Sequence, residues 1–101
     1  MCADCHSTAV TKGFDATTDT FRTQFAEVSV GCEACHGPMK DHVDWQKKYG
    51  DKVSDPTLQR LTREQMFDTC ASCHSRRMEL TGDFVPGDRY HDQFLLSIVD
   101  E

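Results

Sequence analysis

The chain has little apolar sequence to fold around. Of its 101 residues, 38% are hydrophobic and 28% are charged, and no apolar run approaches the roughly 20 residues of a membrane-spanning helix. Small domains also bury a smaller share of their surface than large ones do. A chain of this length is expected to form a single domain, residues 1–101, with a thin protein core. Something other than aliphatic side chains must therefore supply most of the core.

Positive charge is scarce as well. The 11 Lys and Arg residues face 17 Asp and Glu residues, which gives a formal net charge of −6. An acidic surface disfavours nucleic acids and anionic membrane faces as partners. The same charge suits a basic partner protein or simply solubility, and the composition does not decide between them.

No secretory signal is visible in this sequence, since Met1 stands directly before Cys2 with no basic and apolar segment in front of it. Against these shortages stands one repeated motif. The pattern Cys-x-x-Cys-His occurs three times, at residues 2–6, 32–36 and 70–74. This pattern is the attachment site of c-type haem, in which two thiols bond to the porphyrin vinyl groups and the His ligates the iron.

The motifs therefore predict three covalently attached haem c groups, whose flat apolar porphyrins would serve as the core. The cysteines expected to bind them are Cys2, Cys5, Cys32, Cys35, Cys70 and Cys73, and the expected proximal iron ligands are His6, His36 and His74. Covalent haem attachment takes place outside the cytoplasmic membrane, so a periplasmic or extracellular location follows. The chain is then expected to be a mature form or a segment of a longer protein.

Three other uses of the cysteines are weaker. A disulfide framework places no demand on the residue after the second Cys, yet that residue is His each time. Structural zinc sites pair Cys-x-x-Cys units two by two, which leaves one of three without a partner. A thioredoxin-like motif needs one such unit on an α/β scaffold. Haem attachment accounts for all six cysteines.

The opposite face of each iron decides what the protein does. A second His or a Met completes an electron-transfer haem, whereas an open face permits small-molecule binding. Only His42 and His91 remain for three distal positions, and both are expected to ligate iron. The third position is left to a Met (Met39, Met66 or Met78), to an open site, to another copy of the chain, or to a missing part of the protein.

Local signals predict a mainly helical chain. The stretch 40–49 before Gly50 suits a helix, Ser54-Asp55-Pro56 resembles an N-cap that opens a short helix, and Thr62 with Gln65 resembles a capping box. Residues 7–31 are rich in β-branched residues and are expected to be extended or irregular. Apolar spacing from Asp88 onward predicts a C-terminal helix.

The haem segments resemble a multihaem c-type cytochrome family, specifically the N-terminal haem segments of tetrahaem and octahaem cytochromes c. The matching stretches are Cys2–Thr8, Cys32–Pro38 with His42 beyond it, Cys70–His74 followed by Arg76 and Arg77, and Phe84–Gly87. The resemblance implies that His42 serves as distal ligand to a haem other than its own. Relatives continue into further haem sites, which implies a fragment or a subunit that borrows a ligand.

The sequence therefore predicts a mainly α fold with long irregular loops and little or no β-sheet, wrapped around three haems. Its expected function is electron transfer between redox donor and acceptor proteins, with no catalytic residues. Two alternatives stay open. One is a catalytic domain in which a five-coordinate haem acts on a small nitrogen or sulfur species, using residues such as Arg76, Arg77, Lys40 and Tyr90. The other is a ligand-sharing homo-oligomer or extracellular filament.

Overall fold

Helices carry all three cysteine motifs. The computed structural model describes residues 2–99. Its helical elements, in chain order, are α1 (Cys2–His6), α2 (Glu33–His36), α3 (Lys40–Tyr49), a 3₁₀ turn (Gly50–Lys52), α4 (Arg63–His74) and α5 (Tyr90–Gln93). The first two motifs lie on single-turn helices, whereas the third forms the last turn of the longest helix in the described range. The third motif is therefore part of a much longer helix than the first two.

Helix α3 begins and ends where its local signals predict, and helix α4 begins where its local signal predicts. Helix α3 spans the predicted residues 40–49 and ends at Gly50, whose φ of 60° only glycine adopts readily. Helix α4 opens on the predicted capping box. There the Gln65 amide N–H donates to Thr62 Oγ1 at 3.2 Å, and the Thr62 N–H donates to Gln65 Oε1 at 2.9 Å. Each bond satisfies a backbone donor that the first helical turn would otherwise leave open.

The segment between the first two motifs is extended, as expected. Strands β1 (Phe14–Asp15) and β2 (Thr20–Phe21) pair antiparallel, with Phe14 opposite Phe21. Isolated bridges at Thr8–Glu27 and Thr11–Gln24 continue the pairing toward the base of the hairpin. All residues from Gly13 to Val30 are exposed. The hairpin is therefore held by backbone hydrogen bonds with almost no apolar burial.

The predicted C-terminal helix is wrong beyond Gln93. After the single turn of α5, strand β4 (Phe94–Leu96) pairs antiparallel with strand β3 (Arg77–Glu79). Burial explains the change, because Phe94 is only 3% exposed and its ring lies 4.0 Å from the Arg77 guanidinium carbon. A helix through Phe94 would break the backbone pairing that brings these two side chains together.

The short helix predicted after Ser54 is also wrong, because residues 53–62 contain a turn and no helix. The Asp55 carboxylate accepts hydrogen bonds from the backbone N–H and the hydroxyl of Thr57, which closes a local turn instead. The expectation of a mainly helical fold is confirmed in part. Helices make up 39% of the structure, and the sheets are two pairs of short strands.

The protein core is small, and the molecule is open. Among residues 2–99, Tyr90 and Phe94 are the buried large apolar side chains. The molecule measures 52 × 37 × 20 Å with a radius of gyration of 16.1 Å, against about 13 Å for a compact domain of 100 residues. None of the helices between residues 2 and 99 combines the length and the apolar character needed to cross a membrane. The thin core expected from the composition is therefore confirmed.

Candidate cofactor sites

The three motif helices meet at one place. Helices α1 and α2, which are separated by an extended hairpin, both pack against α4. The first and second motifs therefore lie next to the third, although about thirty residues of sequence separate each motif from the next. This convergence is tertiary and has no signature in the local sequence.

Helix α4 is fixed in place by buried polar contacts. The Thr69 hydroxyl donates to the Gln65 carbonyl at 2.8 Å and accepts the Gly87 N–H at 3.1 Å. Gln65 Nε2 in turn donates to the Gly87 carbonyl at 3.2 Å, and the Ser72 hydroxyl donates to the Thr69 carbonyl at 2.7 Å. Thr69 and Ser72 are both buried. Because buried hydroxyls are costly unless bonded, these contacts fix the orientation of the third motif.

A cavity of about 340 Å³ lies between the first and third motifs. It is lined by Cys5, Cys73 and Ala34, so all three motifs contribute to its wall, together with Phe84 and Phe94. Burial raises the pKa of the Cys5 thiol, and the charge and hydrogen bonding of the neighbouring Cys73 thiol raise it further. One thiol of the first motif and one of the third therefore lie in contact. Porphyrins attached to them would lie side by side.

Charged side chains also line this cavity. Lys12 forms ion pairs with Glu79 and, at 3.8 Å, with Asp4 of the first motif. Arg77 donates from Nε to the Ser72 carbonyl while its guanidinium lies over the Phe94 ring. The same wall also carries four carboxylates, those of Asp4, Glu33, Glu79 and Asp83, so the cavity combines apolar side chains with charges of both signs. The sequence pattern did not single out Lys12, because only its ion pairs with Asp4 of α1 and Glu79 of β3 place it here.

The proximal histidines are available for ligation. The imidazoles of His6, His36 and His74 are exposed and make no hydrogen bond to any residue in the range 2–99. His91 on α5 is exposed as well and contacts the Tyr90 ring edge-on at 5.1 Å between centroids. Each of these rings therefore presents both nitrogens to solvent or to a ligand. His91 does not line the cavity between the first and third motifs.

His42 differs from the other histidines. Its side chain is 27% exposed, and its Nδ1 lies 2.6 Å from Asp55 Oδ2. His42 and His36 line a second cavity of about 60 Å³, with Met39 and Leu58. That volume holds a few water molecules and is far too small for a porphyrin. Sequence reasoning missed Asp55 as a functional residue, since its pairing with His42 spans 13 positions and has no local pattern.

The remaining surface fits a large apolar cofactor. The chain exposes 8225 Å², whereas a folded monomer of its 11.5 kDa mass exposes about 5,800 Å² by the usual mass scaling. Much of the excess comes from large apolar side chains, including Phe67 in α4 and Leu80 after β3. In addition, Trp45 Nε1 is a buried donor that finds no acceptor among the described residues. Such a donor suits a carboxylate of a bound group.

The cysteines of the three motifs lie within the described residues. All six are unpaired thiols, so the structure shows no disulfide framework. Within residues 2–99, no three His, Cys, Asp or Glu side chains converge into a cluster that could hold a metal ion. An iron in a porphyrin needs only one or two protein ligands, because the macrocycle supplies the rest. The separate, exposed imidazoles described above fit that requirement.

Comparison with known proteins gives one match. The family model described as cytochrome c554 and c-prime matches residues 1–37, which contain the first two motifs and end just after the second. No curated protein and no solved structure matches the chain. The matched segment is thus similar to a c-type cytochrome, which supports covalently bound haem c and haem-based electron transfer.

Proposed function

We propose that this chain is a three-haem electron carrier. Each Cys pair, Cys2/Cys5, Cys32/Cys35 and Cys70/Cys73, would hold one haem c, with the adjacent His6, His36 or His74 as proximal ligand. When bound, each iron supplies one-electron redox chemistry through the Fe(III)/Fe(II) couple. The protein would receive electrons from a donor protein and deliver them to an acceptor. Covalent haem attachment implies a periplasmic or extracellular location.

One observation carries this proposal: the motif helices α1 and α2 converge on α4, and Cys5 and Cys73 share one cavity. Attachment at neighbouring thiols keeps two cofactors close together, as electron transfer between them requires. Arg77, which lines the same cavity beside the Phe94 ring, would bind a propionate there. The exposed apolar surface would become the wall of the cofactor pockets, so that haem binding completes the core.

We propose His42 and His91 as distal ligands of two irons. His42 Nδ1 is occupied by Asp55, which leaves Nε2 as its only ring nitrogen for a metal. His91 is exposed on α5, a position from which it could reach a cofactor without rearrangement of the core. The third iron then depends on Met39, Met66 or Met78, on an open position, or on a ligand from another chain.

A catalytic role is the second candidate. Only two histidines remain as distal ligands for three irons, so one iron would lack a distal His and could keep an open position for a substrate. The residues that such a pocket would use have structural partners. The Tyr90 hydroxyl lies 2.6 Å from Ser75 Oγ, Arg77 stacks on Phe94, and Lys40 pairs with Asp44. These contacts favour the carrier over the enzyme. In a ligand-sharing filament, a residue from another copy of the chain would take the distal position of that third iron.

The deciding experiment uses protein produced with a c-type haem maturation system. Intact mass should show three haems, and the double variants Cys2→Ala/Cys5→Ala, Cys32→Ala/Cys35→Ala and Cys70→Ala/Cys73→Ala should each lose one. A mass of two haems or fewer in the parent protein would refute the three-haem carrier.

A second experiment adds carbon monoxide to the reduced protein and distinguishes the carrier from the enzyme. No binding supports the carrier, and binding at one iron supports the catalytic alternative. Loss of that binding with rising protein concentration would identify ligand sharing.

A further inference from the structure

The contact between His42 and Asp55 is more buried than a surface ion pair and has more hydrogen bonds. The Asp55 side chain is only 6% exposed, and four donors surround its carboxylate. His42 Nδ1 lies at 2.6 Å and Gln46 Nε2 at 3.3 Å from Oδ2, while the Thr57 N–H and hydroxyl lie at 2.7 and 2.6 Å from Oδ1. A buried carboxylate with every oxygen bonded is held in one position.

The local sequence explains why Asp55 is fixed. Pro56 has no N–H and restricts the backbone of the residue before it, so the first N–H that the Asp55 side chain meets belongs to Thr57. This arrangement is an Asx turn. It holds Oδ1 toward the turn and leaves Oδ2 facing α3. The carboxylate is therefore oriented by its own loop before it contacts His42.

Helix α3 completes the arrangement from the other side. His42 and Gln46 are four residues apart and lie on the same face of the helix, and both bond to Oδ2. Because donors from Thr57, His42 and Gln46 face both carboxylate oxygens, this environment favours the ionised form of Asp55. An anionic acceptor at Oδ2 requires the proton of a neutral His42 to be on Nδ1. The Nε2 lone pair is then left for a metal.

We propose that Asp55 is the positioning residue of His42: it fixes the ring orientation and the Nδ1–H tautomer, so that Nε2 is presented as the distal ligand of a haem iron. The inference rests on the proposed function, which makes His42 an iron ligand. A carboxylate that accepts the outer N–H of a ligating His also makes the imidazole a stronger base. A stronger base favours Fe(III) over Fe(II), so Asp55 should lower the reduction potential of one haem.

The test compares variants of the haem-loaded protein. Asp55→Asn keeps the side-chain shape but removes its charge, so one of the three potentials should shift to a more positive value while two stay unchanged. Asp55→Ala removes the acceptor, and the affinity of His42 for iron should fall roughly 10–100-fold, the usual cost of losing such a partner. Added cyanide should then displace His42 at a correspondingly lower concentration, and the low-spin signal of one ferric haem should change.

Two controls separate positioning from structural support. Thr57→Ala removes one hydrogen bond from Oδ1 and leaves the bond to His42, so it should lower thermal stability slightly without moving any potential. Asp51→Asn makes the same chemical change at an exposed carboxylate four residues away and should change neither quantity. Equal potential shifts in Thr57→Ala and Asp55→Asn would overturn the proposal, since the turn alone would then account for the effect.

His42→Ala distinguishes failure of this inference from failure of the proposed function. If His42→Ala produces one high-spin haem while Asp55→Asn and Asp55→Ala leave all potentials and spin states unchanged, His42 stays a ligand and the role of Asp55 is refuted. If His42→Ala leaves every haem low-spin, His42 is not a ligand, and both statements fail together.

Discussion

The region around α4 and the hairpin of residues 7–31 are held together by different kinds of contact. Around α4, hydroxyls, a glycine turn with positive φ and two buried aromatic rings fix the third motif through protein contacts. Between the first two motifs, the hairpin of residues 7–31 is held by backbone pairing and, at its base, by hydrogen bonds of the buried Thr8 hydroxyl, and it exposes nearly all its other side chains. The difference indicates that the third motif is organised by the protein, while the hairpin with α1 and α2 depends on what binds to it.

The largest expected effect tests the region around α4. Phe94 is 3% exposed and contacts Tyr90, Phe84 and Arg77. Phe94→Ala should therefore destabilise the haem-loaded protein by about 3–5 kcal/mol, the usual cost of emptying a buried aromatic site. Denaturant unfolding, monitored by circular dichroism, measures the loss.

Phe14→Ala is the matched control, because Phe14 is 53% exposed and contacts Phe21 across the hairpin at 4.8 Å between ring centroids. Loss of one such cross-strand pair should cost about 1 kcal/mol or less. If Phe14→Ala costs as much as Phe94→Ala, a bound cofactor covers the hairpin aromatics, and the contrast between the two regions disappears in the loaded protein.

Two glycines sharpen the comparison at the level of the backbone. Gly87 has a φ of +102°, and a Cβ there would lie 3.2 Å from Leu61 Cδ2. Its N–H and carbonyl also bond to Thr69 and Gln65 of α4. Gly87→Ala should lower global stability by about 1–3 kcal/mol, which is visible as a lower melting temperature of the haem-loaded protein.

Gly13→Ala makes the same change in the hairpin, where φ is +56° and a Cβ would lie 2.7 Å from the Arg22 carbonyl oxygen. The local clash is more severe, yet the damage should stay local because nothing large packs on this segment. We expect faster amide exchange at Arg22 and Gln24 with little change in melting temperature. A larger fall in melting temperature for Gly13→Ala than for Gly87→Ala would show that the hairpin is part of the global folding unit.

The helix caps test how far local sequence determines α4. Thr62→Ala removes an observed capping box and should cost about 1 kcal/mol. Ser54→Ala removes a residue with the same sequence appearance as a cap, in a segment that forms no helix. It should leave stability unchanged, as measured by thermal unfolding of both variants; equal losses would mean that a helix forms after Ser54 in solution.

These cases show which features the sequence could predict. Helix α3 and the start of α4 follow from signals within a few residues, namely Gly50 and the pair Thr62 and Gln65, so they were predicted correctly. Strand β4 was missed because its partner β3 lies about twenty residues earlier, and pairing across that distance outweighed the helical spacing of Leu95 and Ile98.

The candidate site divides in the same way. The cysteine motifs identify the attachment points because the chemistry demands adjacent residues. The sequence could not predict that Cys5 lies against Cys73, or that Asp55 holds His42, since both contacts form only when distant segments pack. The residues Ser54-Asp55-Pro56 do indicate a side chain that hydrogen-bonds to the backbone. The same residue types begin both an Asx turn and a helix N-cap, so the sequence alone does not distinguish the two.

The smallest expected effect concerns the hairpin itself and its response to pH. Asp15 Oδ1 accepts the Thr17 N–H at 2.8 Å, and this bond outweighs a slight burial effect, so the pKa of Asp15 lies below its ordinary value of 3.8. A carboxylate with a lowered pKa contributes fully above pH 3.8, and its contribution fades as pH falls through the lowered value. The Thr17 amide signal of the reduced protein should therefore titrate with a midpoint below pH 3.8. Asp15→Asn should abolish that movement without a measurable change in melting temperature, because the bond is solvent-exposed. A Thr17 titration centred above pH 3.8 would contradict this prediction, since the Asp15–Thr17 bond would then be open in solution.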